Sequence, residues 1–351
     1  MHQIYSQIIN LVKNNISGAD DSHIQFSDQN YKPLNFDKNN FHQIKNAEKN
    51  SKIAFIDAGS AEIIKSPNFS LNLIRVYYTI YQQNKRINSK KFDFYAFISA
   101  KNIDNELFYN VEFIRSDNEN NVVPNNEDLL LSSLDETIKQ GITRASISNV
   151  ANVIRRFSEI KTAINAIDNL ENNDIIVLDG SLQCTFTNEK KYFEELYKKA
   201  AEKNITICGL SKTTTLMTDK GNSISNALNK YNVDGKWLYH PVTEIKSSSH
   251  KAEMSFVKLH EKSRHIFRFE IYKEQKEKLH ETVSLLASNC KDAVFLGYPY
   301  GLIEADKNAR ISNQEKEMLL TLFSVKFGKD WEKIKDSISN VNAHEILDNI
   351  C

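Results

Sequence analysis

The stretch SKIAFIDAGS (residues 51–60) joins a short apolar run to a carboxylate and then to three small residues. This composition is typical of a buried β-strand that ends in a turn, so it predicts a strand that ends at Asp57. A second stretch, NDIIVLDGSL (residues 173–182), repeats the pattern and predicts a strand that ends at Asp179. The chain contains only ten glycines. A glycine after both carboxylates therefore favours a shared role over chance.

The two aspartates have two interpretations. An Asp followed by Gly after a strand is often only a turn former. Alternatively, a carboxylate at the carboxyl end of a buried strand faces the crevice in which α/β folds bind ligands, and a glycine lets a phosphate approach closely. Two such carboxylates, with a third from a helix, can hold one or two hard divalent cations that cleave a phosphodiester. Because the unit occurs twice, we favour the second interpretation.

Glu159 is the candidate for the third carboxylate. It lies in a segment of helical period at 146–170, off the apolar stripe and within one turn of Arg155 and Arg156. The spacing alone favours a solvated ion pair within the helix. In the alternative, Glu159 binds the metal and the two arginines contact phosphate groups of a nucleic acid.

Apolar periodicity divides the rest of the chain into further strands and helices. Strands are predicted at 71–81, 91–100, 106–116, 204–210, 236–243, 252–260, 264–273 and 293–299. Helices are predicted at 127–139, 146–170, 189–203 and 276–289, with an amphipathic helix at the N-terminus and further helices from 300 onward. Strands that alternate with helices indicate an α/β or mixed α+β fold.

The composition excludes some classes of protein but does not indicate a reaction. Lys plus Arg and Asp plus Glu number 45 each, a balance that argues neither for nor against a nucleic-acid partner. There is no apolar run of membrane-spanning length and no signal-peptide pattern at the N-terminus, so we expect no membrane association. No CxxC pair occurs, which argues against a zinc site and for a reduced, cytoplasmic setting. The four cysteines are Cys184, Cys208, Cys290 and Cys351.

Six segments, in this order, resemble the motifs of the NurA nuclease family. The resemblance extends over roughly residues 50–325 and is carried by the order and company of the motifs, since no one of them is specific. The segments are DAGS (57–60), RRFSE (155–159), VLDGS (177–181), GLSK (209–212), KLH (258–260) and GYPYGLIEAD (297–306).

The resemblance implies an RNase H-like core sheet flanked by helices. The nuclease core would occupy residues 51–312, with a hairpin and a helical insertion around 84–150. Residues 1–50 would form a helical and loop extension, and residues 313–351 would form peripheral C-terminal helices.

The same resemblance implies a metal-dependent DNA nuclease that uses manganese or magnesium, with 5′–3′ exonuclease and single-strand endonuclease activity. It implies a homodimer that works on DNA ends with a hexameric HerA-type translocase, in repair or in phage defence. The implied metal ligands are Asp57, Glu159, Asp179 and Asp306, with Tyr298 beside them as part of the catalytic site. Lys212 would contact DNA together with Arg155 and Arg156, although taken alone it has the pattern of a solvated loop lysine.

Two positions depart from the family pattern. The last motif usually ends in His, where this chain has Asp306. A carboxylate binds hard cations, but it does not provide a neutral imidazole that shuttles protons near pH 7. The first motif reads Asp-Ala-Gly-Ser, where Asp-Gly-Ser is more common, so one additional residue precedes the glycine.

Two rival functions remain open. An actin-like ATP-binding protein or sugar kinase also uses Asp-x-Gly-Ser after its first strand, but it needs glycine pairs, and this chain has no Gly-Gly. That rival also leaves Glu159 and the Tyr298-Pro299 segment unexplained. The second rival is a catalytically weak NurA-like adaptor that retains the fold for docking, which the unusual Asp306 keeps open.

Overall fold

The computed structural model describes residues 2–16, 21–47, 50–116 and 121–339. Its strands are β1 (Ile24–Gln25), β2 (Tyr31–Pro33), β3 (Phe41–Gln43), β4 (Ile53–Lys65), β5 (Phe69–Gln82), β6 (Lys85–Ile103), β7 (Glu106–Ile114), β8 (Leu131–Ser132), β9 (Ile175–Asp179), β10 (Thr206–Ser211), β11 (Met217–Thr218), β12 (Trp237–Tyr239), β13 (Thr243–Ile245), β14 (Ala252–Lys258) and β15 (Phe267–Tyr272). Eleven of them form one sheet in the order β3-β12-β14-β15-β10-β9-β4-β5-β6-β7-β8, while β1 pairs with β11 and β2 pairs with β13.

Eight α-helices lie in the described part of the chain. They are α1 (His2–Ile16), α2 (Ser148–Ala166), α3 (Glu189–Glu202), α4 (Ile224–Asn229), α5 (Leu279–Ser288), α6 (Tyr300–Ala309), α7 (Asn313–Phe327) and α8 (Trp331–Ser339). Short 3-10 helices occur at Lys38–Asn40, Asn126–Leu129, Ile167–Asn169, Lys273–Lys278 and Gly328–Asp330.

The centre of the sheet has the strand order of an RNase H-like core. β4, β5 and β6 form an antiparallel meander, and β9 and β10 then add parallel to β4 on its other side. The apolar residues of β9 and β10 are buried on both faces, as is usual for parallel strands. The predicted mixed α+β fold with a core sheet flanked by helices is therefore confirmed.

Helices cover both faces of this core. On one face, α2 and α3 bury an apolar cluster against even-numbered residues of β4 such as Ile56. On the other face, α5 and α6 pack on a cluster that includes Phe55 and Val177. β4 is thus enclosed between α2 and α6, which bring side chains from two distant parts of the chain to one strand.

β4 is longer than its sequence pattern predicts. The strand does not end at Asp57 but continues through Ala58, Gly59 and Ser60 as far as Lys65. The small residues keep pairing with β5, since Asp57 is opposite Tyr77 and Ser60 is opposite Ile74. The prediction of a turn after Asp57 is therefore wrong, because tertiary pairing with β5 overrides the turn tendency of these residues.

Three other predicted elements need correction. Residues 293–299 form turns rather than a strand, since the Asp292 side chain accepts hydrogen bonds from the backbone N–H groups of Val294 and Phe295. Residues 127–139 form a 3-10 turn, the short β8 and further turns rather than a helix, because Asp128 is buried against the hydroxyl group of Tyr192. The single strand predicted at 236–243 is instead the short β12, with Thr243 already the first residue of β13.

The two ends of the chain partly match the prediction. The N-terminal helix is present as α1, but the first 50 residues also contribute β1, β2 and β3, and β3 joins the edge of the main sheet. The predicted C-terminal helices are present as α7 and α8, whereas residues 340–351, including Cys351, lie outside the described residues. None of the helices in the described ranges combines the length and apolar character needed to cross a bilayer.

Candidate active site

Three aspartates from separate elements converge at one edge of the core. Asp57 lies within β4, Asp179 ends β9, and Asp306 lies on α6. One carboxylate oxygen from each lies within 4.8 Å of the others, the only such acidic, His or Cys cluster among the described residues. Ile56 and Leu178 are partners in the parallel pair β4–β9, so the two strand aspartates emerge side by side. Asp179 does end its strand as predicted, with Gly180 at φ +127°.

Two glycines bring α6 close enough for Asp306 to reach this cluster. A Cβ atom at Gly301 would overlap the ring of Phe55, and one at Gly59 would overlap the carbonyl group of Ala309. Both glycines thus allow close contact between α6 and β4. Gly59 was expected to admit a phosphate group, but the structure places the end of α6 there instead.

Lys212 supplies positive charge to the cluster. Its Nζ lies 2.6 Å from Asp179 Oδ2 and 2.6 Å from Asp306 Oδ1. Burial lowers the pKa of Lys212, but the two aspartates outweigh burial and raise it, so the ammonium group stays charged. Lys212 follows β10, the strand beside β9. Its loop position agrees with the sequence prediction, but its ammonium group is paired with Asp179 rather than surrounded by solvent.

Asp57 is the least compensated of the three aspartates. Burial, followed by repulsion from Asp179 and Glu159, raises its pKa to about 8, while its backbone neighbour and Lys212 act in the opposite direction. Only the backbone N–H of Ala58 donates a hydrogen bond to its carboxylate among the described residues, at 2.7 Å. Asp306 differs, because hydrogen bonds from Lys212 and Arg310 outweigh burial and lower its pKa.

Glu159 lies close to this cluster but is not one of its three members. It is paired with Arg156 at 3.4 Å and with Arg155 at 3.6 Å, so the intrahelical ion pair exists. The pair is not solvated, since the Glu159 side chain is only 1% exposed. Burial raises the pKa of Glu159 despite the two arginines, and Asp179 raises it further.

The two arginines have different environments. Arg156 is buried, with Nε donating to Glu189 at 2.8 Å and Nη2 donating to the carbonyl group of Ser181 at 2.7 Å. In this arrangement Arg156 orients Glu159 and the segment after Asp179, and it is not placed to contact a phosphate group. Arg155 is about one-third exposed and donates to the carbonyl group of Ala58.

Tyr298 lies beneath the aspartates as an almost fully buried side chain. Its hydroxyl group donates to Asp179 Oδ1 at 3.4 Å, and its ring centroid lies 5.9 Å from Lys212 Nζ. Burial, and then the charge of Asp179, raise the pKa of Tyr298, so its hydroxyl group stays protonated. Stacking on Phe295 at 4.8 Å fixes the ring.

The donor set fits a hard divalent cation. The three converging groups are all carboxylates, the ligands that magnesium and manganese prefer. Burial, and then the charges of Asp179 and Glu159, raise the pKa of Asp57 despite the opposing charge of Lys212. A cation bound among the three aspartates would relieve this repulsion.

Comparison with known proteins identifies the family. The sequence model described as the NurA domain matches residues 51–311. The chain belongs to the NurA family. A comparison with curated protein sequences found no match.

Solved structures agree with this NurA assignment at the level of the fold. The NurA nuclease from Sulfolobus solfataricus superposes with a TM-score of 0.51 at 13% identity, over 94% of this chain and 98% of that one. The catalytic domain of human endonuclease V has a TM-score of 0.36 at 8% identity, over 79% of this chain and 85% of that one. Argonaute from Aquifex aeolicus has a TM-score of 0.32 at 8% identity, over 76% of this chain and 29% of that one. The last two similarities are too low to support an inference.

Membership of the NurA family indicates a nuclease and argues against the actin-like rival.

The sequence analysis did not identify two residues of the site, Arg310 and Glu189. Arg310 pairs with Asp306 at 2.8 Å, and its position four residues further along the same segment was a usable signal. Glu189 holds Arg156 from the first turn of α3, and nothing in the sequence links those two positions.

Proposed function

We propose that the chain is a divalent-metal-dependent deoxyribonuclease that cleaves phosphodiester bonds at the Asp57–Asp179–Asp306 cluster. The observation that carries this proposal is the convergence of three carboxylates, within 4.8 Å, around the ammonium group of Lys212. In a chain of the NurA family such a cluster is best explained as a site for one or two Mn²⁺ or Mg²⁺ ions.

Each residue of the site has a separate role in the proposed cleavage. Asp57, Asp179 and Asp306 would hold the metal, and Glu159 adds a fourth acidic group close behind Asp57 and Asp179. Bound metal supplies activation of water and stabilisation of the leaving oxygen. Tyr298 holds Asp179 through its hydroxyl group. Lys212, once metal compensates the aspartates, is free to meet a phosphate oxygen of the substrate.

We assign DNA contacts to the cationic side chains beside the cluster that are partly exposed to solvent. Lys212 and Arg155 are each about one-third exposed, and we propose them as phosphate contacts beside the cluster. Arg156, which the sequence suggested as a third contact, is assigned to the support of Glu159 because its nitrogens already bind Glu189 and Ser181.

The wider setting remains our proposal as well. We propose 5′–3′ exonuclease and single-strand endonuclease activity on DNA ends, a homodimer, cooperation with a HerA-type hexameric translocase, and a cytoplasmic role in DNA repair or phage defence. These proposals rest on the family alone, whereas metal-dependent cleavage also rests on the cluster.

Digestion of linear duplex and single-stranded DNA with and without Mn²⁺ tests the nuclease, and an ATPase assay on the same preparation tests the actin-like alternative. We expect Mn²⁺-dependent loss of full-length DNA and no ATP hydrolysis. A folded protein that leaves every DNA substrate intact at saturating Mn²⁺ would contradict the proposal and favour the adaptor.

The aspartates themselves provide a sharper test. Asp57→Ala and Asp179→Ala should each lower the cleavage rate on the order of 10³-fold or more, because each removes a ligand from a metal worth several kcal/mol. The matched control is Asp168→Ala, an exposed carboxylate after α2. Retained activity in either of the first two purified variants contradicts the assignment of the metal site.

A further inference from the structure

A cavity of about 610 Å³ lies at the same edge of the sheet as the three aspartates. We call it the Arg268 cavity, after the β15 residue in its wall. Arg268 is paired with Ser211 of β10, and β10 is paired with β9, which ends at Asp179. At a strand spacing of about 4.8 Å, the backbones of Arg268 and Asp179 lie two strands, or about 10 Å, apart. Asp179 is in register with Leu210 and Phe269. The side chain of Arg268 therefore lies on the other face of the sheet, and a substrate strand would reach it across the ends of β9 and β10. Gln183, four residues after Asp179, lines the same cavity.

The lining of the Arg268 cavity combines flat apolar surface with neutral polar groups. Phe26 is stacked on Tyr31, with ring centroids 5.0 Å apart and planes 18° apart, and both residues line the cavity. Met217, also in the lining, is 55% exposed, which is high for an apolar side chain. Gln183 and Gln25 add side-chain amides. Stacking surfaces beside hydrogen-bonding groups are what a nucleobase requires.

The arginine of the cavity wall is already compensated, and Asp28, an exposed carboxylate in the same lining, would repel a phosphate group. Arg268 Nε donates to Glu270 Oε1 at 2.6 Å, and Arg268 Nη2 also faces that oxygen. Burial opposes ionisation of Glu270, but Arg268 and His250 lower its pKa to about 2, so the carboxylate stays charged. A compensated arginine suits the hydrogen-bonding edge of a neutral base better than a phosphate group, and Nη1 is the nitrogen left for it.

The wall is also joined to the active site by buried hydrogen bonds. Glu270 Oε2 accepts from the backbone N–H of Leu182 at 2.7 Å and lies 3.0 Å from His250 Nε2. The hydroxyl group of Tyr31 lies 2.7 Å from His250 Nδ1. The stacked ring, the arginine and the segment after Asp179 are therefore held by one buried network, which fixes the cavity relative to the cluster.

We propose that the Arg268 cavity binds one nucleobase of the substrate strand, within about three nucleotides of the bond that is cut. The separation of about 10 Å corresponds to three nucleotides at the helical rise of about 3.4 Å and to fewer in an extended strand. This inference rests on the proposed nuclease function. The base stacks on Phe26 and Met217 and meets Gln183 and Arg268 at its edge, so the cavity holds the strand in register while the aspartates act on the phosphate.

The test is an abasic scan on a single-stranded oligonucleotide with one cleavable linkage, the others being phosphorothioates. An abasic residue is moved one nucleotide at a time over three positions on each side of that linkage, and kcat/KM is measured with Mn²⁺. We expect one position at which loss of the base lowers kcat/KM about 10-fold, in the range of stacking contributions for single strands.

Variants assign that position to the cavity. In Met217→Ala and, separately, Gln183→Ala, the intact substrate should be cut more slowly and the abasic penalty at that position should shrink. Met318→Ala, an exposed methionine on α7, is the matched control and should retain the full penalty.

A scan that is flat in the native protein, or a penalty unchanged in both cavity variants, overturns the base-binding proposal and leaves the nuclease assignment intact. Failure of the native protein to cut even the intact oligonucleotide overturns the nuclease proposal, and the base site with it.

Discussion

Asp57 has a buried carboxyl group beside two other acids, and within the described ranges the backbone N–H of Ala58 is its only hydrogen-bond donor. Its pKa of about 8 means that, without metal, the folded protein retains a proton that the unfolded chain loses near pH 4. A raised pKa of this kind stabilises the fold at low pH, and that contribution is lost as the pH rises toward 8. The proposed metal would therefore compete with a proton for this carboxylate.

Asp57→Asn should make the metal-free protein more stable at alkaline pH. The neutral amide mimics protonated Asp57, so the gain in the free energy of unfolding should be absent near pH 4, grow toward pH 8 and level off above it. Urea unfolding in EDTA measures this gain, with Asp168→Asn as the exposed control. A gain that is independent of pH would mean that neither burial nor the neighbouring acids raise the pKa of Asp57 in the folded protein.

Asp306 is one of the two positions at which this chain departs from the NurA pattern that its motifs resemble. Asp306→His should leave cleavage equal or raised and shift the metal preference toward manganese, because imidazole suits transition-metal ions better than Mg²⁺. The ratio of kcat/KM in Mn²⁺ to that in Mg²⁺ measures the shift. Complete loss of cleavage with both ions would show that Asp306 has a role that histidine cannot fill.

Much of the cluster could be predicted from the sequence, but for uneven reasons. Asp57 and Asp179 were found from the apolar runs before them, although Asp57 lies inside its strand. Asp306 was found only through the family resemblance, since nothing local in an amphipathic helix marks a ligand. The burial of Glu159 and Arg156 could not be predicted, because Glu189, the second partner of Arg156, comes from a different helix.

At the scale of elements, the contact between α6 and β4 determines whether the third aspartate reaches the other two. Gly301 and Gly59 set how closely these elements approach. Because packed interiors have little free space, even one methyl group at this contact must move the helix or the strand.

Gly301→Ala should lower both stability and cleavage. Overpacking against Phe55 should cost about 1–3 kcal/mol of unfolding free energy and displace Asp306. Phe55→Leu should partly rescue Gly301→Ala in the double variant, because it removes the ring that the new methyl group meets. Lys307→Ala, an exposed change on the same helix, should alter neither property.

The absence of rescue, measured by urea unfolding and Mn²⁺-dependent digestion, would indicate that the contact between Gly301 and Phe55 does not position α6.

Elements with strong periodicity, such as α2 and β9, could be predicted from sequence alone. The turns at 293–299 could not, because the apolar residues Phe295 and Tyr298 stack their rings on each other instead of pairing in a strand.

On the scale of the whole molecule, the mixed α+β fold was predictable because its core strands are apolar and regularly spaced, whereas the RNase H-like arrangement of those strands was implied only by the family resemblance. The edges were not predictable: β3 has three residues and β8 has two, too few for a reliable pattern, and both depend on pairing with other strands. The eleven-stranded sheet is therefore larger than the core that the sequence indicated.

We expect a chelator to leave the proposed homodimer intact. The proposed metal site draws its three aspartates from one chain, whereas exposed apolar side chains on α1 and α7, such as Ile8 and Leu322, are candidates for association. Size-exclusion chromatography with light scattering, with and without EDTA, measures the mass in solution. A dimer that dissociates only in EDTA would place metal at the interface.

Anomalous diffraction from crystals soaked in Mn²⁺ tests the central claim most directly. We predict a manganese peak within about 2.0–2.2 Å of carboxylate oxygens of Asp57, Asp179 and Asp306, with the ammonium group of Lys212 displaced from its present position between Asp179 and Asp306. Saturating manganese that leaves no peak there, with Lys212 still bridging the two aspartates in protein that cleaves DNA under the same conditions, would contradict the account.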